Sequence, residues 1–206
     1  MPNWCNNYLE LQHDDPAMIE RAKKAFNEGR LLDEFVPVPK DLHIVAGCVG
    51  DKDDPKQIEL EAQEKANIEA HGYKTWWDFC VNEWGTKWDV GGDGYTASDD
   101  GPNDTVMVFD SAWAPPTNAM DKFMDLGFRV TLYYYESGMA FAGIYSEDGD
   151  DFYEVGGMTS EQVAEELPEE LDIKFCISEG IAEWEDDNEN EPYIDAYDPP
   201  AETKSE

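Results

Sequence analysis

The chain has 206 residues, 41% of them hydrophobic and 13% aromatic, enough to bury a domain-sized core and to exclude wholesale disorder. Its 48 acids against 14 lysines and arginines leave a net charge of -34, which repels nucleic acid and anionic lipid and attracts basic surfaces and cations. Direct DNA or RNA binding is excluded on that ground, because affinity for phosphate comes from Lys and Arg.

The alternation of polar and apolar residues from Asn7 to Gln12 predicts a half-buried strand. Asp14 or Asp15 then caps a helix with Pro16 in its first turn, an apolar stripe of Met18, Ile19, Ala22, Ala25 and Phe26, and Gly29 at its end. Leu31 to Leu42 reads as an extended crossing, kept out of any central strand by Pro37 and Pro39. Residues 43 to 54 are loop-like. Pro55 to Ala70 is a polar, exposed helical insertion, and Tyr73 to Trp84 a more buried helix carrying Trp76, Trp77, Phe79 and Cys80. A short strand is expected near Lys87 to Val90, then a glycine- and aspartate-rich loop from Gly91 to Asn103.

Asp104 to Trp113 is apolar enough for a central strand, and Pro115-Pro116-Thr117 opens a helix that runs to Leu126 and stops at Gly127. Phe128 to Tyr135 and Met139 to Ser146 form a hairpin turning at Gly138, and Asp151 to Val155 adds a third antiparallel strand. Thr159 to Gln162 starts a capped helix that Pro168 stops, with a short final strand at Ile173 to Ile177. From Glu185 the chain reads as a disordered acidic tail.

The fold class is therefore α+β: a ferredoxin-like split βαβ antiparallel sheet with helices on one face. The expected organisation is a domain over residues 1–155, with a helical insertion at about 55–84, an acidic helix–strand extension over 156–184, and the tail over 185–206.

Glu83 to Asp89 reads as a packing corner, where Trp84 and Trp88 flank Gly85 and Lys87. Together with Trp113 these are the expected structural residues, and a ligand-stacking aromatic site is the rival reading. The cysteines Cys5, Cys48, Cys80 and Cys176 are scattered, with no CxxC pair. No signal-peptide pattern opens the sequence and no run of about 18 apolar residues occurs, so reduced thiols, a cytoplasmic location and no membrane partner are expected.

The opening Met1-Pro2-Asn3-Trp4-Cys5-Asn6-Asn7 resembles that of the YubB-type ferredoxin-like proteins carried by phages and plasmids. The same resemblance extends through Phe35-Val36-Pro37-Val38-Pro39, Trp84-Gly85-Thr86-Lys87-Trp88-Asp89, Phe109-Asp110-Ser111-Ala112-Trp113-Ala114-Pro115-Pro116 and Tyr135-Glu136-Ser137-Gly138, over roughly residues 1 to 155. It implies a ferredoxin-like fold and a mobile-element origin, and brings no catalytic residues. Iron–sulfur ligation would need clustered thiolates, which this sequence lacks.

No nucleophile–base arrangement is legible, and His13, His43 and His71 read as surface imidazoles, so no catalytic residue and no cofactor are expected. Zinc spacing is absent. The Gly91-Gly92-Asp93-Gly94 stretch lacks the Gly-Lys-Ser/Thr ending of a phosphate loop. Asp51, Asp53 and Asp54, or Asp148, Asp150 and Asp151, could bind Ca²⁺, but neither group has EF-hand spacing, and no metal site is assigned.

What stands out is where the charge lies. Residues 132–206 hold 23 acids and 2 basic residues, against 25 and 12 in residues 1–131. Glu161, Glu165, Glu166, Glu169 and Glu170 recur at helical spacing, followed by Glu185, Asp186, Asp187, Glu189 and Glu191. Carboxylates held on a scaffold imitate a phosphate array. The expected partner is thus a basic nucleic-acid-binding host protein, a restriction or CRISPR-type defence nuclease foremost. The alternatives are a small-ligand or divalent-cation module, a phage structural protein, or acidity that serves solubility alone. An uncovered strand edge would also admit a homodimer.

Overall fold

The sheet is built around β1 (Trp4–Gln12), whose odd-numbered residues Cys5, Asn7, Leu9 and Leu11 are buried while the even ones face outward. In this computed structural model, which describes residues 3–92, 94–98 and 101–189, β1 pairs antiparallel with β2 (Asp104–Ala112) and with β3 (Arg129–Glu136). Hairpins then add β4 (Phe141–Ser146) and β5 (Gly149–Glu154), giving the order β2-β1-β3-β4-β5. The fold is α+β. Because β2 and β3 are both antiparallel to β1, they run parallel to each other with β1 between them, and the helix joining them makes a split βαβ unit. With each run of helices taken once, the order through β5 is β-α-β-α-β-β-β, against the β-α-β-β-α-β of the ferredoxin-like motif.

Two helices cover the face that carries the buried odd positions of β1. Asp15 caps α1 (Pro16–Asn27) by accepting the Ala17 N–H at 2.9 Å, and Ile19, Ala22 and Phe26 form its buried stripe. The helix joining β2 to β3, over Thr117–Asp125, adds Ala119, Met120 and Phe123. These close over Leu9, Leu11, Met107, Phe109, Val130 and Leu132. Gly91 seals the C-terminal end of α1, since a Cβ there would lie 2.1 Å from the Phe26 carbonyl oxygen. The glycine-rich loop is a close-packing device at this point.

The stretch from Leu31 to Leu42 departs from the extended reading. It contains α2 (Leu31–Phe35) and a 3-10 turn at Lys40–Leu42. Pro37 and Pro39 sit after the helix rather than forbidding it. The polar helix α3 (Pro55–His71) is anchored by an amide instead of an apolar stripe: buried Asn67 donates to the carbonyls of Asp41 at 3.0 Å and Lys74 at 2.8 Å. A short α4 (Trp76–Phe79) continues as a π turn over Cys80–Trp84, ended by left-handed Gly85. No strand forms at Lys87–Val90, where the chain is irregular. The helix α5 (Thr117–Asp125) follows β2 as expected.

The first compact unit ends at Gly156, and a second begins at Gly157. The second contains α6 (Ser160–Glu166), α7 (Glu169–Phe175) and α8 (Ile177–Glu189) around buried Val163, Leu167, Leu171 and Ile177. The strand expected at Ile173 to Ile177 is overturned. Leu167 and Leu171 are buried at helical spacing, and only Cys176, in a left-handed conformation, separates α7 from α8. The tail expected from Glu185 is helical through Glu189; residues 190–206 lie outside the described residues.

Candidate functional site

The corner around Trp84 is assembled from tertiary hydrogen bonds. Trp84 is 4% exposed and its Nε1 donates to the Val36 carbonyl at 2.9 Å. Gly85 lies against the start of α5, where a Cβ would stand 3.1 Å from the Pro115 oxygen. The Thr86 hydroxyl donates to the Ala112 carbonyl at 2.9 Å and accepts the Ala112 N–H at 3.1 Å, taking the place of a paired strand residue at the end of β2. The Asp89 carboxylate accepts N–H groups of Leu32 at 2.7 Å, Asp33 at 2.9 Å and Val90 at 2.8 Å, which holds the start of α2. Burial nonetheless pushes the Asp89 carboxyl up to about 6, against the pull of those donors.

The other indoles of the corner stand in solvent. Trp88 is 40% exposed and Trp113 55%, the latter with a left-handed backbone at φ 75°. Lys87 lies 4.6 Å from the centroid of the Trp88 ring, and Trp88 packs against Trp4 at 6.0 Å. Nearby, Lys74, Thr75, Trp76, Trp77, Asp78 and Lys87 line a cleft of about 400 Å³.

Stretches far apart in sequence meet at this end of the sheet. Asn6 Nδ2 donates to Asp110 at 2.6 Å, Asn7 Nδ2 to Ser111 Oγ at 2.8 Å, and the Trp113 N–H to the Asn3 carbonyl at 2.9 Å. Glu136, 1% exposed, accepts the Gly138 and Met139 N–H groups and so closes the turn between β3 and β4. Sequence reasoning gave Asn7 and Glu136 no structural role. A polar residue at a buried position of an alternating strand is the signal that would have flagged Asn7.

Nucleophilic chemistry finds little support in the described groups. Burial raises the thiols of Cys5 and Cys80 to about 12, with Glu136 beside the first and Asp89 beside the second adding to the effect. His13 accepts the Asp15 N–H at Nδ1, 2.9 Å away, which leaves Nε2 to donate to the Leu126 carbonyl at 3.2 Å. His71 faces Asp41 at 3.3 Å. Among the described residues, no three His, Cys, Asp or Glu side chains come together in a way that could hold a metal ion. Of the aspartate loops, Asp54 caps α3 through the Lys56 N–H at 2.8 Å, and Asp150 accepts the Tyr134 hydroxyl at 2.6 Å.

The second candidate region is the helical unit after Gly156. Residues 157–189 contain 12 acids and one basic residue, Lys174. A capping box starts α6: the Thr159 hydroxyl accepts the Gln162 N–H at 3.2 Å, and Gln162 accepts the Thr159 N–H at 2.9 Å. Glu161, Glu165, Glu166 and Glu169 are exposed and make no ion pair among the described residues, whereas Glu170 pairs with Lys174 at 3.3 Å. Glu185 is part of the scaffold, accepting the Ser160 N–H at 3.1 Å and its hydroxyl at 2.6 Å. Asp172 does the same for Ser178, at 2.7 Å and 2.5 Å. Asp186 and Asp187 are exposed on α8. Glu189 ends α8 and Glu191 lies outside the described residues.

No family model matches the chain, and no curated protein does. Among solved structures, a protein api92 from Yersinia pseudotuberculosis, of the family DUF1281, aligns over 77% of this chain and 99% of its own, with 12% identity and a TM-score of 0.42. No described helix is long and apolar enough to cross a membrane.

Proposed function

We propose that the chain is a non-enzymatic inhibitor whose acidic helical unit imitates nucleic acid and occupies the basic groove of a nucleic-acid-binding host protein. A phage or plasmid origin, action in the bacterial cytoplasm and a restriction or CRISPR-type defence nuclease as target belong to the same proposal. RNA polymerase or a nucleoid protein is the next candidate. One observation carries it: the acidic surplus held on ordered helices. Residues 157–189 have 12 acids against one basic residue, and Glu161, Glu165, Glu166 and Glu169 on α6 and α7, with Glu179, Glu183, Asp186 and Asp187 on α8, are exposed. Electrostatic steering would make association fast and strongly salt-dependent.

The test compares the wild-type chain with a variant in which Glu161, Glu165, Glu166, Glu169 and Glu170 become Lys, each used to capture proteins from nuclease-treated bacterial lysate under rising salt. The expected result is one nucleic-acid enzyme retained by the wild type, displaced by competing duplex DNA and absent from the variant's eluate. Equal capture by both chains would end the reading.

The cleft beside the corner supports a second reading, a small-ligand module, because it brings Lys74 and Lys87 together with Trp76 and Trp77 in a chain poor in cations. Calorimetry with nucleotides, Mg²⁺ and Ca²⁺ tests it, and a saturable stoichiometric heat is required for it to stand.

A further inference from the structure

The sheet ends on β5, a strand unlike its neighbours. All of Gly149–Glu154 is exposed apart from half-buried Tyr153, and among the described residues β4 is its one strand partner. The phase of that pairing follows from two observations. The register joins Ser146 to Gly149 across a two-residue turn, and the Val155 N–H continues the ladder onto the Ala140 carbonyl at 2.8 Å. Bonded pairs alternate along an antiparallel ladder, so residues 149, 151, 153 and 155 turn their N–H and C=O groups toward β4. Asp150, Phe152 and Glu154 turn theirs outward. Among the described residues nothing bonds those outward groups.

The edge is held in shape. Phe152 stacks on Phe141 with centroids 5.6 Å apart, and Tyr134 donates to Asp150 at 2.6 Å. It is also charged with one sign. Glu147, Asp148, Asp150, Asp151 and Glu154 fall within eight residues, and no lysine or arginine occurs between Arg129 and Lys174. A second copy pairing with this strand would set carboxylates against carboxylates, and like charges directly opposite each other destabilise a strand pair.

We infer that β5 is the docking edge for an extended basic segment of a partner protein, added as a sixth strand. The side chains of Asp150, Phe152 and Glu154 share one face of the sheet, so the matching segment carries a basic residue, then an apolar residue two positions on, then a second basic residue two further on. Backbone hydrogen bonds to the open edge supply affinity, and the alternating side chains supply selectivity. This site lies within the first unit and does not depend on the carboxylates of α6 to α8.

The experiment uses the full chain and a labelled peptide built on Lys-Thr-Val-Thr-Lys, followed by fluorescence anisotropy and amide hydrogen exchange. Two further peptides serve as probes: one N-methylated on the amides that would face β5, and one with Glu in place of each Lys. The parent peptide is expected to bind and to slow exchange at Asp150, Phe152 and Glu154. Loss of two or three backbone hydrogen bonds predicts at least about tenfold weaker binding for the N-methylated peptide, and the Glu peptide should not bind. Phe152→Pro removes one of the three outward N–H groups without removing a hydrogen bond to β4, and should weaken the parent peptide by a smaller factor, about two- to tenfold.

N-methylated and parent peptides binding equally well would overturn the proposal, since charge alone would then explain the attraction. Protection confined to residues outside 149–154 would overturn it as well. So would a peptide-free dimer in sedimentation that Phe152→Pro dissolves, because the occupant would then be a second copy.

Discussion

The two units use acidity in opposite ways. Up to Gly156, many carboxylates are spent on donors: Asp15 and Asp54 cap helices, Asp89 holds the start of α2, and Glu136 closes a turn. Glu34 sits between Arg21 and Arg30, which hold its carboxyl below the ordinary range. Among the described residues after Gly157 most acids are exposed; Asp172 and Glu185 tie the helices themselves, and Glu170 pairs with Lys174. The cores differ in the same direction. Phe26, Phe109, Phe123 and Phe128 fill the first unit, whereas Val163, Leu167, Leu171 and Ile177 are what the second buries among described residues. A tally of charge cannot separate these regimes. What separates them is whether a carboxylate has a donor, and how much apolar burial offsets its repulsion.

The largest expected effect sharpens the contrast in cores. Phe123→Ala should cost about 3–5 kcal/mol, read as a lower midpoint in urea unfolding. Leu171→Ala should cost about 2–5 kcal/mol and, with so few apolar residues to spare, abolish amide protection across α6, α7 and α8. Retained protection in those helices would break the comparison.

Asp89 supplies a pH-dependent test within the first unit. Its carboxyl rises from 3.8 in the unfolded chain to about 6 when folded, so the folded protein holds this proton more tightly. Its contribution to stability is full below pH 3.8 and is lost as pH rises through about 6. Asp89→Asn is expected to be most destabilising in acid, with the gap to wild type narrowing across that window in urea titrations. A gap that widens instead would show that the three N–H donors dominate over burial.

The smallest effect concerns the second unit. Glu161 and Glu165 are like charges one turn apart on α6, and Glu165 stands in its last turn where the helix dipole disfavours an acid, so Glu165→Gln should stabilise that helix by about 0.2–0.5 kcal/mol at low salt. The gain should fade near 1 M salt as screening removes the repulsion. Thermal melts at two ionic strengths would show it.

Elements whose pattern is local were legible in the sequence. The alternation in β1, the hairpin of β3 and β4, and the limits of α1 set by Asp15, Pro16 and Gly29 needed nothing from elsewhere in the chain. Elements held by distant partners were not. The five residues of α2 depend on Asp89, more than 50 positions away, and prolines downstream masked them. Residues 173 to 177 alternate over too short a span to outweigh a helical period that begins at Leu167. A short strand was expected near Lys87 to Val90, yet the Thr86 hydroxyl does the pairing with the end of β2. At the candidate sites the acids could be counted, but the engagement of Glu185 with Ser160 could not be read. Nor could the place of β5 at the rim, because strand order is a property of the whole topology.

The π turn at Cys80–Trp84 has a consequence for how this chain can change. Its wider turn holds one residue more than an α-helical turn would. Deleting a single residue there would let ordinary helix reform with Trp84 on nearly the same face, because about five residues of π turn sweep the same angle as about four of α-helix, and its indole N–H would still point toward the Val36 oxygen. The corner is therefore open to a one-residue change in length at this point, whereas the same deletion in the middle of α1 would rotate every side chain after it by about 100°.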